Sequence, residues 1–171
     1  AKAAIAHNPG SNLKLGSGIA DIHHYHSQGL TVGLGTDGCS SSNDLDMWQS
    51  MRLAAHLVAY KKSPEQVSAK QIIRHATIEG ANAVGLGDRI GSIEVGKEAD
   101  MIALDLRALH LTPVHDVDAL LVFAAGRSDV TDVWVAGMEV VKNRVLTKLD
   151  IADLNNRISE RISALSELKE L

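Results

Sequence analysis

The sequence contains one cysteine, Cys39, so no disulfide can form within the chain. That is the economy of a reducing compartment, and the expected location is the cytoplasm. Aromatic residues make up only 3%. Leu, Ile, Val and Ala must therefore fill the interior, within a hydrophobic content of 45%. No apolar run approaches the ~20 residues that a membrane-spanning helix needs. The charge has no strong bias either, with a formal net value of −4. Such mild acidity gives no electrostatic footprint for nucleic acid or an anionic membrane. The opening residues, Ala1 to Ala6, have no methionine and no signal-peptide layout. They read as the middle of an open reading frame, so we expect the chain to be a fragment of a longer protein. Its 171 residues suffice for one core or for parts of two domains.

What is present begins with a short apolar run, residues 2–7, ended by Asn8-Pro9-Gly10. This predicts a buried strand and then a loop reaching Ser17-Gly18. A helix fits 19–28 and stops at Gly29. Residues 30–37 (LTVGLGTD) predict a second buried strand. Strand, crossover helix and strand make one βαβ unit, hence a parallel sheet. Side chains alternate along a strand. Leu30, Val32, Leu34 and Thr36 share one face; Thr31, Gly33, Gly35 and Asp37 share the other. The second face is nearly bare until its final carboxylate, and its glycines suggest close approach of something else. The C-terminal end of a parallel strand is where α/β barrels place catalytic groups.

Asn43 or Asp44 can cap a helix whose apolar stripe is Met47, Trp48, Met51, Ala54, Ala55 and Val58. Ser68 and Gln71 suggest a capping box for a longer helix ending at Gly85. Beyond residue 88 the pattern changes to short apolar stretches around Ile90, Ile93, Val95 and 101–106. Residues 130–135 and 138–141 flank Ala136-Gly137, a hairpin signal. Residues 150–170 predict a last amphipathic helix, with Ile151, Leu154, Ile158, Ile162 and Leu165 on one side.

Three blocks then carry a family resemblance. The first is His7-Asn8-Pro9-Gly10-Ser11-Asn12-Leu13-Lys14-Leu15, followed by Gly18-Ile19. The second is Gly35-Thr36-Asp37-Gly38, followed by Ser41, Asn43, Asp44 and Met51-Arg52. The third runs from Gly91 to Asp100 (GSIEVGKEAD). In order and spacing they resemble the amidohydrolase superfamily, in its S-adenosylhomocysteine/5′-methylthioadenosine deaminase and chlorohydrolase branch. The resemblance implies an α/β fold, the C-terminal part of a metal-dependent (β/α)8 barrel with part of a small β-sandwich and a C-terminal helix. The boundaries would be 1–88 for the last barrel strands and helices, 89–146 for the sandwich portion and 147–171 for the helix. A whole barrel needs about 250 residues. The family's His-x-His pair, its later barrel histidines and its acid/base Glu are therefore expected upstream, and the isolated fragment is expected to be inactive.

By the same resemblance Asp37 is metal ligand and proton-handling catalytic carboxylate, and Ser41 is a substrate contact. One divalent metal, Zn²⁺ or else Fe²⁺, would lower the pKa of bound water. The implied reaction is hydrolytic deamination of adenosine-type thioethers, with a purine-like small molecule and water as partners and a homo-oligomer as the full protein. Another amidohydrolase acting on a heterocycle, such as a chlorohydrolase or guanine-type deaminase, is the alternative. A non-catalytic binding module is the reading if the chain were complete. His7 could line the site or serve packing. Asn12 is read as fixing its loop through side-chain to backbone bonds. His23, His24 and His26 have no carboxylate or thiolate at ligand spacing and read as a solvated helix face. His56 and His75 read as local polar partners within helices. Lys97 and Asp100 are read as pairing or fixing a turn.

Overall fold

The computed structural model describes residues 3–167. It begins with strand β1 (Ala4–His7), helices α1 (Pro9–Leu15) and α2 (Ile22–Ser27), and strand β2 (Thr31–Leu34). The strands pair in parallel, Ala4 opposite Thr31 and His7 opposite Leu34. The expected βαβ unit is therefore present, but its crossover holds two helices. The segment after Asn8 was expected as loop and is helical. Pro9 stands at the helix start, where its missing N–H costs nothing. Gly16, at φ 67°, closes that helix. The second helix starts three residues later than expected because the Asp21 carboxylate accepts from His24 N at 3.0 Å and fixes the N-terminus.

Short α3 (Cys39–Ser42) leads to α4 (Met47–Lys61), the longest helix of this half. Asp46, not Asn43 or Asp44, is its cap, accepting from Trp48 N at 2.8 Å. Asn43 instead turns the chain at φ 65°. The α4 stripe is buried as expected through Met51, Ala54, Ala55 and Val58. These pack with Ile22, Val32, Ile72 and Val122 in one core. Burying each of the larger members contributes roughly 1.5–3 kcal/mol.

The helix expected to run on to Gly85 breaks at Thr77, giving α5 (Ala69–Ala76) and α6 (Ile78–Ala83). Ser68 does accept from Gln71 N at 3.2 Å, but the Gln71 side chain reaches Glu79 Oε1 at 2.7 Å rather than closing a box. Thr77 Oγ1 donates back to Ile73 O at 2.8 Å, which holds the chain at the break. The break brings Gly80 against Gly33: a Cβ on Gly33 would lie 3.0 Å from Gly80 Cα. Here is the close approach that the bare strand face required.

The second half is an antiparallel sheet in the order β3 (Met101–Leu104), β4 (Val130–Val135), β5 (Met138–Lys142), β6 (Val145–Leu146). Its central hairpin turns at Ala136 and Gly137, both with positive φ. Helix α7 (Val117–Phe123) connects β3 to β4 and sends Val122 into the core. Ile90, Ile93 and Val95 lie outside any strand, and Ile93 and Val95 are exposed. Lys97 and Asp100 do not pair. Lys97 Nζ donates to Gly87 O at 2.7 Å, and the Asp100 carboxylate accepts from Ala136 N at 2.7 Å. Helix α8 (Ile151–Glu167) closes the described chain. The expected helix end at 168–170 lies outside the described residues.

Candidate active site

Strand β2 delivers Asp37 three residues beyond its last paired position, to an exposed point past its C-terminal end. The backbone there is left-handed, with φ 61°. Non-glycine residues adopt this region at a cost, and aspartate among the least. Three neighbours hold the conformation. The Asn8 side-chain oxygen accepts from Asp37 N at 3.2 Å. Ser11 Oγ donates to Asp37 Oδ2 at 2.6 Å. Gly38 N donates to Asp37 Oδ1 at 2.7 Å. Ser11 and Gly38 thus each give one carboxylate oxygen a neutral donor, and the residue itself stands exposed to solvent. Among the described residues, no ion pair engages this carboxylate.

Ser41 lies in α3 and reaches the same carboxylate. The hydrogen bonds from Ser11, then Gly38, then Ser41 hold the Asp37 carboxyl below the usual carboxylate range. The group is fully ionised at neutral pH. Gly35 completes the floor: a Cβ there would overlap Asn8 Oδ1, so any larger residue displaces Asn8 from the Asp37 amide. Lys14 ties the two loops together, donating to Asn43 Oδ1 and to Ser40 O at 3.4 Å. Arg127 reaches across from the antiparallel half to Asp44 at 2.7 Å.

An exposed, anionic, neutrally hydrogen-bonded oxygen pair suits a hard or borderline divalent cation. This carboxylate fits a metal as one ligand of a larger set. Asn8 and Ser11 lie within the first motif block, yet sequence reasoning gave neither a role. The signal was there: an Asn-Pro pair opening a helix whose third residue is a buried serine. Asn12, assigned the loop-fixing task, is replaced in it by Asn8.

Comparison with known proteins matches the amidohydrolase family model over residues 1–140. The chain belongs to the amidohydrolase family. It is 44% identical over 147 residues to the 5-methylthioadenosine/S-adenosylhomocysteine deaminase of Desulforudis audaxviator, covering 85% of this chain and 34% of that protein. A zinc-bound adenosine deaminase from Xanthomonas campestris superposes with a TM-score of 0.92 at 42% identity, covering 96% of this chain and 38% of that one. The zinc complex of atrazine chlorohydrolase from Arthrobacter aurescens superposes with a TM-score of 0.83 at 33% identity, covering 96% and 36%. The chain thus spans about a third of the length of these relatives. The expected fold class holds: α/β, corresponding to a C-terminal portion of a barrel amidohydrolase.

Four of the histidines occupy distinct packed settings. His7, 2% exposed, has both ring nitrogens without a hydrogen-bond partner, and burial followed by repulsion from His75 lowers its pKa to about 4. It is a neutral packing group on the strand face shared with Ile5 and Leu34. His56 stacks on Phe123 with ring centroids 5.8 Å apart. His26, read as solvated, instead gathers with His75 and Glu79 near the start of β2. Cys39 is exposed. No helix among the described residues is long and apolar enough to cross a membrane.

Proposed function

We propose that the whole protein is a metal-dependent hydrolytic deaminase of adenosine-type thioethers, and that Asp37 is its metal-binding, proton-handling carboxylate. The single observation behind this reading is the ionised, solvent-facing Asp37 carboxylate past the end of β2, held by Asn8, Ser11 and Gly38. The Desulforudis relative named above supports 5′-methylthioadenosine and S-adenosylhomocysteine as substrates. The same reading divides the chain into barrel strands and helices over 1–88, a β-sandwich portion over 89–146 and a C-terminal helix over 147–171. Its working form is a homo-oligomer in the cytoplasm, and the remaining metal ligands come from upstream barrel strands.

Asp37 would hold one divalent ion, zinc before iron(II), in keeping with the zinc in both solved neighbours. Such an ion, when bound, lowers the pKa of a coordinated water toward neutrality. The chain's own part is proton traffic. An Asp37 oxygen takes the proton released from water and returns it toward the departing ammonia. Ser11 and Gly38 N keep the carboxylate fixed while it does so. Ser41, one turn further on, is the substrate contact in this reading.

The test is Asp37→Asn in the intact protein, assayed with 5′-methylthioadenosine and followed by circular dichroism. Turnover should fall on the order of 10²–10⁴-fold with the fold retained. Near-normal turnover would overturn the assigned role. The 33% identity to atrazine chlorohydrolase favours a second reading, hydrolysis of another heterocycle, and the same assay with a triazine substrate decides between them.

A further inference from the structure

A second cluster lies at the opposite end of β2 from Asp37. His75 and Glu79, from α5 and α6, are 2% and 8% exposed. His26 comes from the last turn of α2, with its side chain 43% exposed. One ligand atom from each lies within 4.8 Å of the other two. The cluster gathers at the Val32 level of β2, whereas Asp37 stands three residues beyond the last paired position of that strand.

The groups are held as ligands are held. His75 Nδ1 lies 2.8 Å from the Val32 carbonyl, and donation there leaves the ring's lone pair on Nε2. Glu79 Oε1 accepts from Gln71 Nε2 at 2.7 Å, with Arg74 Nε at 3.6 Å. The other oxygen, Oε2, is buried without a donor of its own. It lies 2.6 Å from the same His75 nitrogen, but that nitrogen has one hydrogen and directs it to Val32. A buried anionic oxygen without a donor is costly. His26 presents Nδ1 to that oxygen at 3.9 Å and packs edge-on to His75, centroids 5.4 Å apart. A cavity of about 250 Å³, lined in part by His23, His26, Gln71 and His75, opens beside the cluster.

We propose that His26, His75 and Glu79 form a second divalent-metal site, separate from the Asp37 centre, which takes Zn²⁺ or a similar borderline transition metal and pins α2 to the α5–α6 junction. Two imidazoles and one carboxylate are a zinc-type donor set. A cation supplies the charge that Oε2 lacks. His26, at the exposed edge of the cluster, closes on the ion from the solvent side. The site is structural: binding ties α2 to the α5–α6 junction.

The test uses this full 171-residue chain carrying Asp37→Asn, which removes the carboxylate it contributes to the other centre and keeps the two proposals separable. Equilibrium dialysis with Zn²⁺ alone, and the visible spectrum with Co²⁺ alone, should show one bound equivalent with nitrogen–oxygen coordination. Adding Zn²⁺ should raise the melting midpoint. His26→Gln, a surface change that spares the fold, should weaken binding at least tenfold, and Glu79→Gln should do likewise. Unchanged affinity in His26→Gln, or no saturable binding in the Asp37→Asn chain, overturns the proposal and leaves the cluster as a buried ion pair.

Discussion

At the scale of single residues, two titrations expose how the environment sets charge. Asp37 owes its lowered pKa first to Ser11, and the group is exposed, so little but hydrogen bonding sets its value. Ser11→Ala should move the Asp37 carboxyl up toward the ordinary value of about 3.9, read by NMR titration of its side-chain carbon. An unmoved titration would show that the Ser11 contact is not formed in solution. His7 is the inverse case. Its pKa is lowered to about 4 because burial disfavours the imidazolium. The folded state therefore binds fewer protons than the unfolded state between pH 4 and the ordinary value of about 6.5. Its stabilising contribution is complete above pH 6.5, drains away as pH falls toward 4, and changes no further below that. Two and a half units correspond to roughly 3 kcal/mol. His7→Leu should flatten the urea-unfolding pH profile across that window. It should cost little at pH 7, because both ring nitrogens already lack partners. An identical pH slope in the variant would show that His7 is not the titrating group.

At the scale of elements, the sequence is legible wherever one local rule acts alone. Period-two alternation placed β2 and its bare face, and helical periodicity placed the buried stripe of α4. The Ala136-Gly137 pair placed the β4–β5 hairpin. It failed where two rules competed. Pro9 was read as the end of a strand, though proline equally opens a helix, and α1 was missed. Helical periodicity continued through Thr77 even though the chain breaks there to seat Gly80 on Gly33. The Asp37 carboxylate was legible from its motif, but Asn8 and Ser11, which hold it, reach it from 26 and more residues away. The His26 cluster was invisible for the same reason, since 49 residues separate His26 from His75. The α6 junction supplies a sharp test of packing. A Cβ on Gly91 would lie 2.7 Å from Ala81 Cβ and 2.8 Å from Ile78 Cα, at φ +93°. On Gly96, at φ +96°, a Cβ would meet nothing within 4 Å. Both alanine variants incur roughly 1–2 kcal/mol of left-handed strain. Only Gly91→Ala adds overpacking, about 1–3 kcal/mol more. Denaturant melts should rank Gly91→Ala clearly below Gly96→Ala; equal losses would mean that α6 yields to the added carbon.

At the scale of the whole molecule, stability should be concentrated in the layer around β1, β2, α4 and α5 and absent from α8. The buried apolar set that includes Val32, Ala54, Ala55 and Val122 draws on β2, α4 and α7, and none of it on α8. Along α8 the expected stripe does form, but Leu154 is 36% exposed, Ile158 46% and Ile162 59%. Apolar surface left in water contributes no burial energy. The Asp150 carboxylate accepts from Ala152 N at 2.8 Å and Asp153 N at 3.2 Å, and such a cap is worth about 1 kcal/mol to the helix alone. Without tertiary packing, a helix of 17 residues rests on its own propensity and its cap. Ending the chain after Asp150 should therefore remove helical signal from the far-ultraviolet spectrum while shifting the melting midpoint by less than about 3 °C, since 1 kcal/mol corresponds to about 2–4 °C at this size. The Zn²⁺-induced rise in midpoint should survive the truncation, because His26, His75 and Glu79 all lie in the retained part. A fall beyond about 6 °C would mean that the α8 stripe is covered in solution and that the stable layer extends further than the contacts around β2.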